Sequence, residues 1–232
     1  MTQQPERQTV WLKAPENGDV TRDFPSSILP NECVRAHSAD NGPGWFATVT
    51  SFDAVVGGRF DLVVPDCEST TDVDIDDNGE VRDIGTLYCS NDVEAALRER
   101  LGANFACRRF IAATDLHDTQ MSIIYTHESN LGTCMADTVN APPDVLTREI
   151  STMSDYEVTR AWATSFYETG FDGLAYEPRS TPGRDRIAFA VFGPAGPNTN
   201  LKWSPHPKWW HEVVDKGILF VQISGEKATI IH

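Results

Sequence analysis

Glu99 is the residue whose surroundings in the chain most invite chemistry. It lies in the run VEAALRERL, and its neighbours at i−4, i−3, i+3 and i+4 are Ala95, Ala96, Gly102 and Ala103. None of these can pair with a carboxylate, whereas Glu94 and Arg98 of the same run have the spacing of an i, i+4 ion pair. A carboxylate among small residues leaves space for another molecule, although a solvated surface glutamate fits the same pattern. Arg59 follows Gly57 and Gly58 and precedes Phe60. Two glycines there predict a tight turn that carries the guanidinium to a concave face. Its planar fork suits a diphosphate or a carboxylate, and equally an internal ion pair. Tyr88 ends a short apolar run just before the Glu99 helix, where it can stack on a flat heterocycle or cover the core. The segment 177–186 collects Arg179, Arg184 and Arg186 beside Ser180, Thr181 and Gly183, which reads as an anion cradle or as a polar hairpin loop.

The elements that must position these groups follow from pattern. Asn91 or Asp92 caps a helix over VEAALRERL that ends before Gly102, with Val93, Leu97 and Leu101 as its buried stripe. A second helix starts at a capping box, Ser154 to Glu157, carries Val158, Trp162 and Phe166 inward, and stops at Gly170. Strands are expected at 85–89, 172–176 and 186–192, with two more in the late runs ILFVQI and ATIIH. Residues 1–39 read as a polar, Pro-punctuated N-terminal arm, 40–196 as the functional domain, and 197–232 as an extension packed on it. The tryptophans of that extension, Trp203, Trp209 and Trp210, read as packing on the chain's own core or as a contact surface.

Composition narrows the chemistry. The 232 residues carry a formal charge of −15, from 34 acidic and 19 basic side chains. Such a surface repels phosphate backbones and anionic lipid, so neither a nucleic-acid nor a membrane role is expected. Eight of the acids fall in residues 66–83 against Arg82 alone, which leaves the remainder free to form local positive patches. The D-V-D-I-D spacing in that stretch resembles a calcium loop, but Asp77 and Asp83 stand where an EF-hand needs Gly and Glu. A solvated acidic loop is the better reading. Five cysteines without a C-x-x-C pair predict reduced, mostly buried thiols, and six dispersed histidines predict no structural zinc. With no secretory leader and no apolar run of membrane length, the expected location is the cytoplasm.

Taken in order, G-G-R-F at 57–60, G-T-L-Y with A-A-L-R-E at 85–99, T-R-E-I-S with the helix ending A-W-A at Ala163, G-F-D-G-L-A-Y at 170–176 and A-F-A-V-F-G at 188–193 resemble the RES-domain family over roughly residues 40–196. The resemblance implies a compact α+β fold with small central β-sheets flanked by helices, similar to ADP-ribosyltransferases. It also implies action on NAD+ as substrate, with no further cofactor, and in many members a toxin role under an Xre-type antitoxin. Carried over, Arg59 is the family arginine, Tyr88 its tyrosine and Glu99 its glutamate. Arg179 would share the diphosphate. The family serine is displaced: Tyr176 is followed by Glu177, Pro178 and Arg179, and Ser180 comes one place after that arginine. The expected activity is cleavage of the nicotinamide–ribose bond by water or phosphate. Mono-ADP-ribosyl transfer to protein and a non-catalytic interaction domain with a degraded site are the alternatives.

Overall fold

The computed structural model describes residues 12–16, 19–64, 83–102, 110–112, 116, 118–179, 181, 185–207, 219–224 and 227–231. The strands, in chain order, are β1 (Ser26–Ile28), β2 (Glu32–Ser38), β3 (Trp45–Phe46), β4 (Thr48–Val49), β5 (Leu62–Val63), β6 (Ile84–Ser90), β7 (Phe110–Ala112), β8 (Thr119–Tyr125), β9 (Cys134–Asp137), β10 (Gly173–Tyr176), β11 (Ala188–Pro194), β12 (Gly196–Pro197), β13 (Trp203–Pro205), β14 (Leu219–Ser224) and β15 (Lys227–Ile231). Among the described residues three α-helices accompany them: α1 (Val93–Leu101), α2 (Glu149–Thr152) and α3 (Tyr156–Thr169). The fold is α+β. Its main sheet is a single large one of eight strands, ordered β1-β9-β10-β11-β6-β2-β8-β13, with three small sheets of two or three strands beside it. Only β9 and β10 run parallel within the eight; every other pair is antiparallel.

The helices form for local reasons that the sequence states. Asp92 accepts the Ala95 N–H at 2.9 Å and caps α1, and Gly102, at φ 80°, ends it. Val93 and Leu97 are buried there against Ile111 and Met121. The cap of α3 is Asp155, which accepts the Glu157 N–H, and not the Ser154 of the expected capping box. A carboxylate one residue nearer the helix takes the orphan donor first. Trp162 and Phe166 lie in the larger core with Phe60, Leu174 and Tyr176, and Gly170 closes the helix in the left-handed region.

Residues 26–38, read from sequence as part of an arm, supply β1 and β2. In β2 the buried positions are Cys33, Arg35 and His37, and two polar residues on the inward face disguise the strand alternation. This strand pairs along its full length with β8, but its register with β6 records one pair, Val34 with Ser90. Beyond that pair the two strands part, so the sheet is forked near its middle. The acidic stretch 66–82, Trp209 and Trp210 lie outside the described residues, while Trp203 on β13 is 47% exposed. Cys33 and Cys89 are buried free thiols, but Cys134 is exposed. Among the described residues no helix is long and apolar enough to cross a membrane.

Candidate functional site

A cavity of about 480 Å³ opens at the fork. That is within the usual span of small-molecule sites, roughly 300–1,000 Å³. Side chains from both faces of the sheet reach it, Arg35 from β2 and Tyr88 from β6, because the strands separate there. Among the described residues four arginines line it, Arg35, Arg59, Arg100 and Arg179, together with the carboxylate of Glu99. Positive charge is thus gathered inside a molecule of net charge −15.

The turn that carries Arg59 is held at nearly every backbone polar group. Gly58 N–H donates to Asp61 Oδ2 at 2.5 Å, and Gly58 C=O accepts from Arg160 Nε at 3.2 Å. Arg59 C=O accepts from the Thr159 hydroxyl at 2.7 Å. Phe60 N–H donates to the Tyr88 hydroxyl at 2.9 Å, and Phe60 C=O accepts from Thr86 at 2.9 Å. Gly57 sits at φ 98°, in the left-handed region that favours glycine. A Cβ on Gly58 would lie 2.7 Å from Asp61 Oδ1 and closer still to the Tyr88 hydroxyl. The two glycines therefore do what the sequence expects of them: they let the turn approach β6 and send Arg59 into the cavity.

Arg59 is 7% exposed and donates Nη1 to the Ser151 carbonyl, with the guanidinium 5.7 Å from the Phe60 ring centre and 5.9 Å from that of Tyr156. Its Nε has no hydrogen-bond partner among the described residues. Arg179 is half-buried, donates to the Met153 carbonyl, and likewise leaves Nε without a partner. Burial, and then the nearby Arg59 charge, lowers the Arg179 pKa. Of the remaining cradle residues, Arg186 pairs with Glu94 at 3.0 Å, while Ser180 and Arg184 lie outside the described residues.

Tyr88 is half-buried at the cavity wall, and its hydroxyl is already engaged, donating to Asp61 Oδ1 at 2.7 Å while it accepts from Phe60. Burial, then the Asp61 charge, holds its pKa well above the ordinary tyrosine value. Glu99 is half-buried at the cavity wall, and among the described residues it makes no ion pair. The expected Glu94–Arg98 pair is present at 2.9 Å.

Four residues of this constellation were not singled out from the sequence. Arg35 donates Nη2 to the Trp45 carbonyl at 2.7 Å, but Nε and Nη1 have no partner among the described residues, and burial lowers its pKa to about 10. Asp61 is fully buried, and desolvation raises its pKa although Gly58 and Tyr88 donate to it. Arg160 is fully buried and donates to the carbonyls of Phe52, Ala54, Val56 and Gly58. Tyr176 is 2% exposed on β10. The signals were faint: alternation in ECVRAHS for Arg35, and the i, i+3 step from Arg160 to the buried Ala163.

A family profile described as RES domain matches residues 32–210. No curated protein matches the sequence. Among solved structures, the crystal structure of the M. tuberculosis MbcT-MbcA toxin-antitoxin complex is similar at 11% identity and TM-score 0.43, over 82% of this chain and 92% of that one.

Proposed function

Because this chain belongs to the RES-domain family, we propose that it consumes NAD+ by breaking the bond between nicotinamide and ribose. One observation carries the reading: Glu99 shares a cavity with Arg35, Arg59 and Arg179, each of which keeps an N–H with no partner among the described residues. Nicotinamide leaves NAD+ as a neutral ring from a cationic nitrogen, so the bond needs little help from an acid. The ribose becomes oxocarbenium-like in the transition state, and a nearby carboxylate stabilises that charge. Glu99 has this role. The diphosphate must be neutralised within an anionic molecule, which falls to Arg59 and Arg179, with Arg35 added by the geometry. Tyr88 forms the wall at the nicotinamide end, and Ser180 is assigned to substrate seating by its place after Arg179. A toxin role under an Xre-type antitoxin, implied by the resemblance, belongs to the same proposal, as does action in the cytoplasm.

The test is direct. Purified protein is incubated with NAD+ and free nicotinamide is measured, beside Glu99→Gln. Wild-type release that is lost in the variant supports the reading; equal turnover in both removes Glu99 from the mechanism. Adding phosphate, or labelled NAD+ with lysate protein, divides water, phosphate and protein as acceptors. No release under any condition favours a non-catalytic interaction domain.

A further inference from the structure

Where β2 parts from β6, the edge that β6 loses is taken up by the segment that follows β2. Ala47 N–H donates to Thr86 C=O at 2.9 Å and Thr86 N–H to Ala47 C=O at 2.7 Å, an isolated antiparallel bridge. Two residues earlier, Trp45 is held from the other prong, because its carbonyl accepts from Arg35 Nη2 at 2.7 Å. Its backbone also pairs with Pro197 of β12. Trp45 is therefore fixed in the crotch of the fork, beside Arg35, and it lines the cavity.

Among the described residues one tryptophan and three tyrosines line this cavity, and the tyrosines are committed. Tyr88 donates its hydroxyl to Asp61. Tyr156 has the guanidiniums of Arg59 and Arg160 at 5.9 and 5.6 Å from its ring centre. Tyr176 is 2% exposed and packs edge-to-face on Phe60, 4.8 Å between ring centres. Trp45 is half-buried, belongs to none of the three core clusters and makes no ring contact with a described residue. An indole left partly in water at a cavity wall is a surface on which a flat base can stack.

The sheet says which half of a dinucleotide meets it. Tyr176 and Arg179, on and after β10, stand at one end of the cavity; Arg35 on β2 and its neighbour Trp45 stand at the other, with β11 and β6 between. Along NAD+ the reacting ribose is followed by the diphosphate, then by the second ribose and adenine. With the first ribose at Glu99 and the diphosphate reaching Arg35, the adenosine half comes to the fork. We propose that Trp45 forms the adenine subsite of this cavity, its indole stacking on the purine while Arg35 holds the adjoining phosphate. The subsite rests on the NAD+ reading for the identity of the base.

Nicotinamide mononucleotide supplies the test, since it carries the same scissile bond, one phosphate and no adenosine. Trp45→Ala is expected to raise KM for NAD+ roughly ten- to a hundredfold and to cost the mononucleotide little. Trp45→Phe keeps a ring and recovers most of the loss. A tryptophan that merely props the fork would lower turnover of both substrates alike; that result, or an unaltered KM for NAD+, overturns the proposal. A second measurement needs neither turnover nor a folded Trp45→Ala. AMP is titrated into wild type and into Trp45→Phe while tryptophan emission is read, and quenching is expected in the first alone. Equal quenching in both, or none in a protein that cleaves NAD+, refutes the subsite. Quenching that depends on Trp45 in a protein that releases no nicotinamide refutes the NAD+ cleavage reading alone.

Discussion

The Tyr88 hydroxyl stands between the Phe60 N–H, from which it accepts at 2.9 Å, and Asp61 Oδ1, to which it donates at 2.7 Å. One phenol thus joins β6 to the Phe60–Asp61 side of the Arg59 turn. Tyr88→Phe leaves a buried amide and a buried carboxylate oxygen without this partner. We expect a stability loss of about 1–3 kcal/mol, measured by urea unfolding, together with a higher KM for NAD+ as Arg59 loses its fixed aim.

Asp61 gives a pH prediction of unusual sign. Desolvation raises its folded pKa above the unfolded value, so the folded state binds the proton more tightly. Its contribution is therefore greatest at and below the unfolded value near 3.8 and is lost as pH rises through the folded value. Wild type should gain on Asp61→Asn as pH falls from 7 toward 4, in paired urea titrations. A gap that widens in the opposite direction would contradict the desolvated reading of this carboxylate.

Arg35 sets the cost of a buried charge against its proposed role on the diphosphate. Burial lowers its pKa to about 10, so its charge costs folding energy throughout the range below that value and is relieved only above it. Arg35→Met is expected to raise the melting temperature of the ligand-free protein, the gain being roughly 1–4 kcal/mol. ADP-ribose at about a hundred times its Kd should stabilise wild type by about 2.7 kcal/mol and leave Arg35→Met nearly unmoved. Parallel thermal shifts measure both.

Arg160 satisfies four carbonyls of the segment 52–58 from inside the protein. Arg160→Met strands them, and a destabilisation above about 3 kcal/mol is expected by chemical denaturation. Because this segment ends in the glycine turn, hydrogen exchange should speed up at Gly57 and Gly58 before it does in β11.

The parts legible in the sequence were those written in local code. Asp92 and Gly102 bracket α1, Gly57 and Gly58 turn the chain, and small neighbours mark the open side of Glu99. The helix cap at Asp155 was misread by one residue because Ser154 and Glu157 offer an equally regular pattern. What stayed hidden is defined through space. Arg35 and His37 occupy inward positions of a strand, where polar letters look like surface, so β2 merged into the arm. Asp61 and Arg160 gain meaning only from partners 27 and 102 residues away, respectively Tyr88 and Gly58. Spacing along a chain cannot show such pairs.

The forked sheet with cations inside and acids outside sets a kinetic filter. Within about a Debye length of the surface, about 10 Å at 0.1 M salt, an arriving anion meets the repulsion of a molecule of net charge −15. Only past the mouth do the guanidiniums act on it. A lightly charged dinucleotide crosses such a barrier far more readily than a nucleoside triphosphate, and its association rate should climb with ionic strength where most anion-binding proteins slow down.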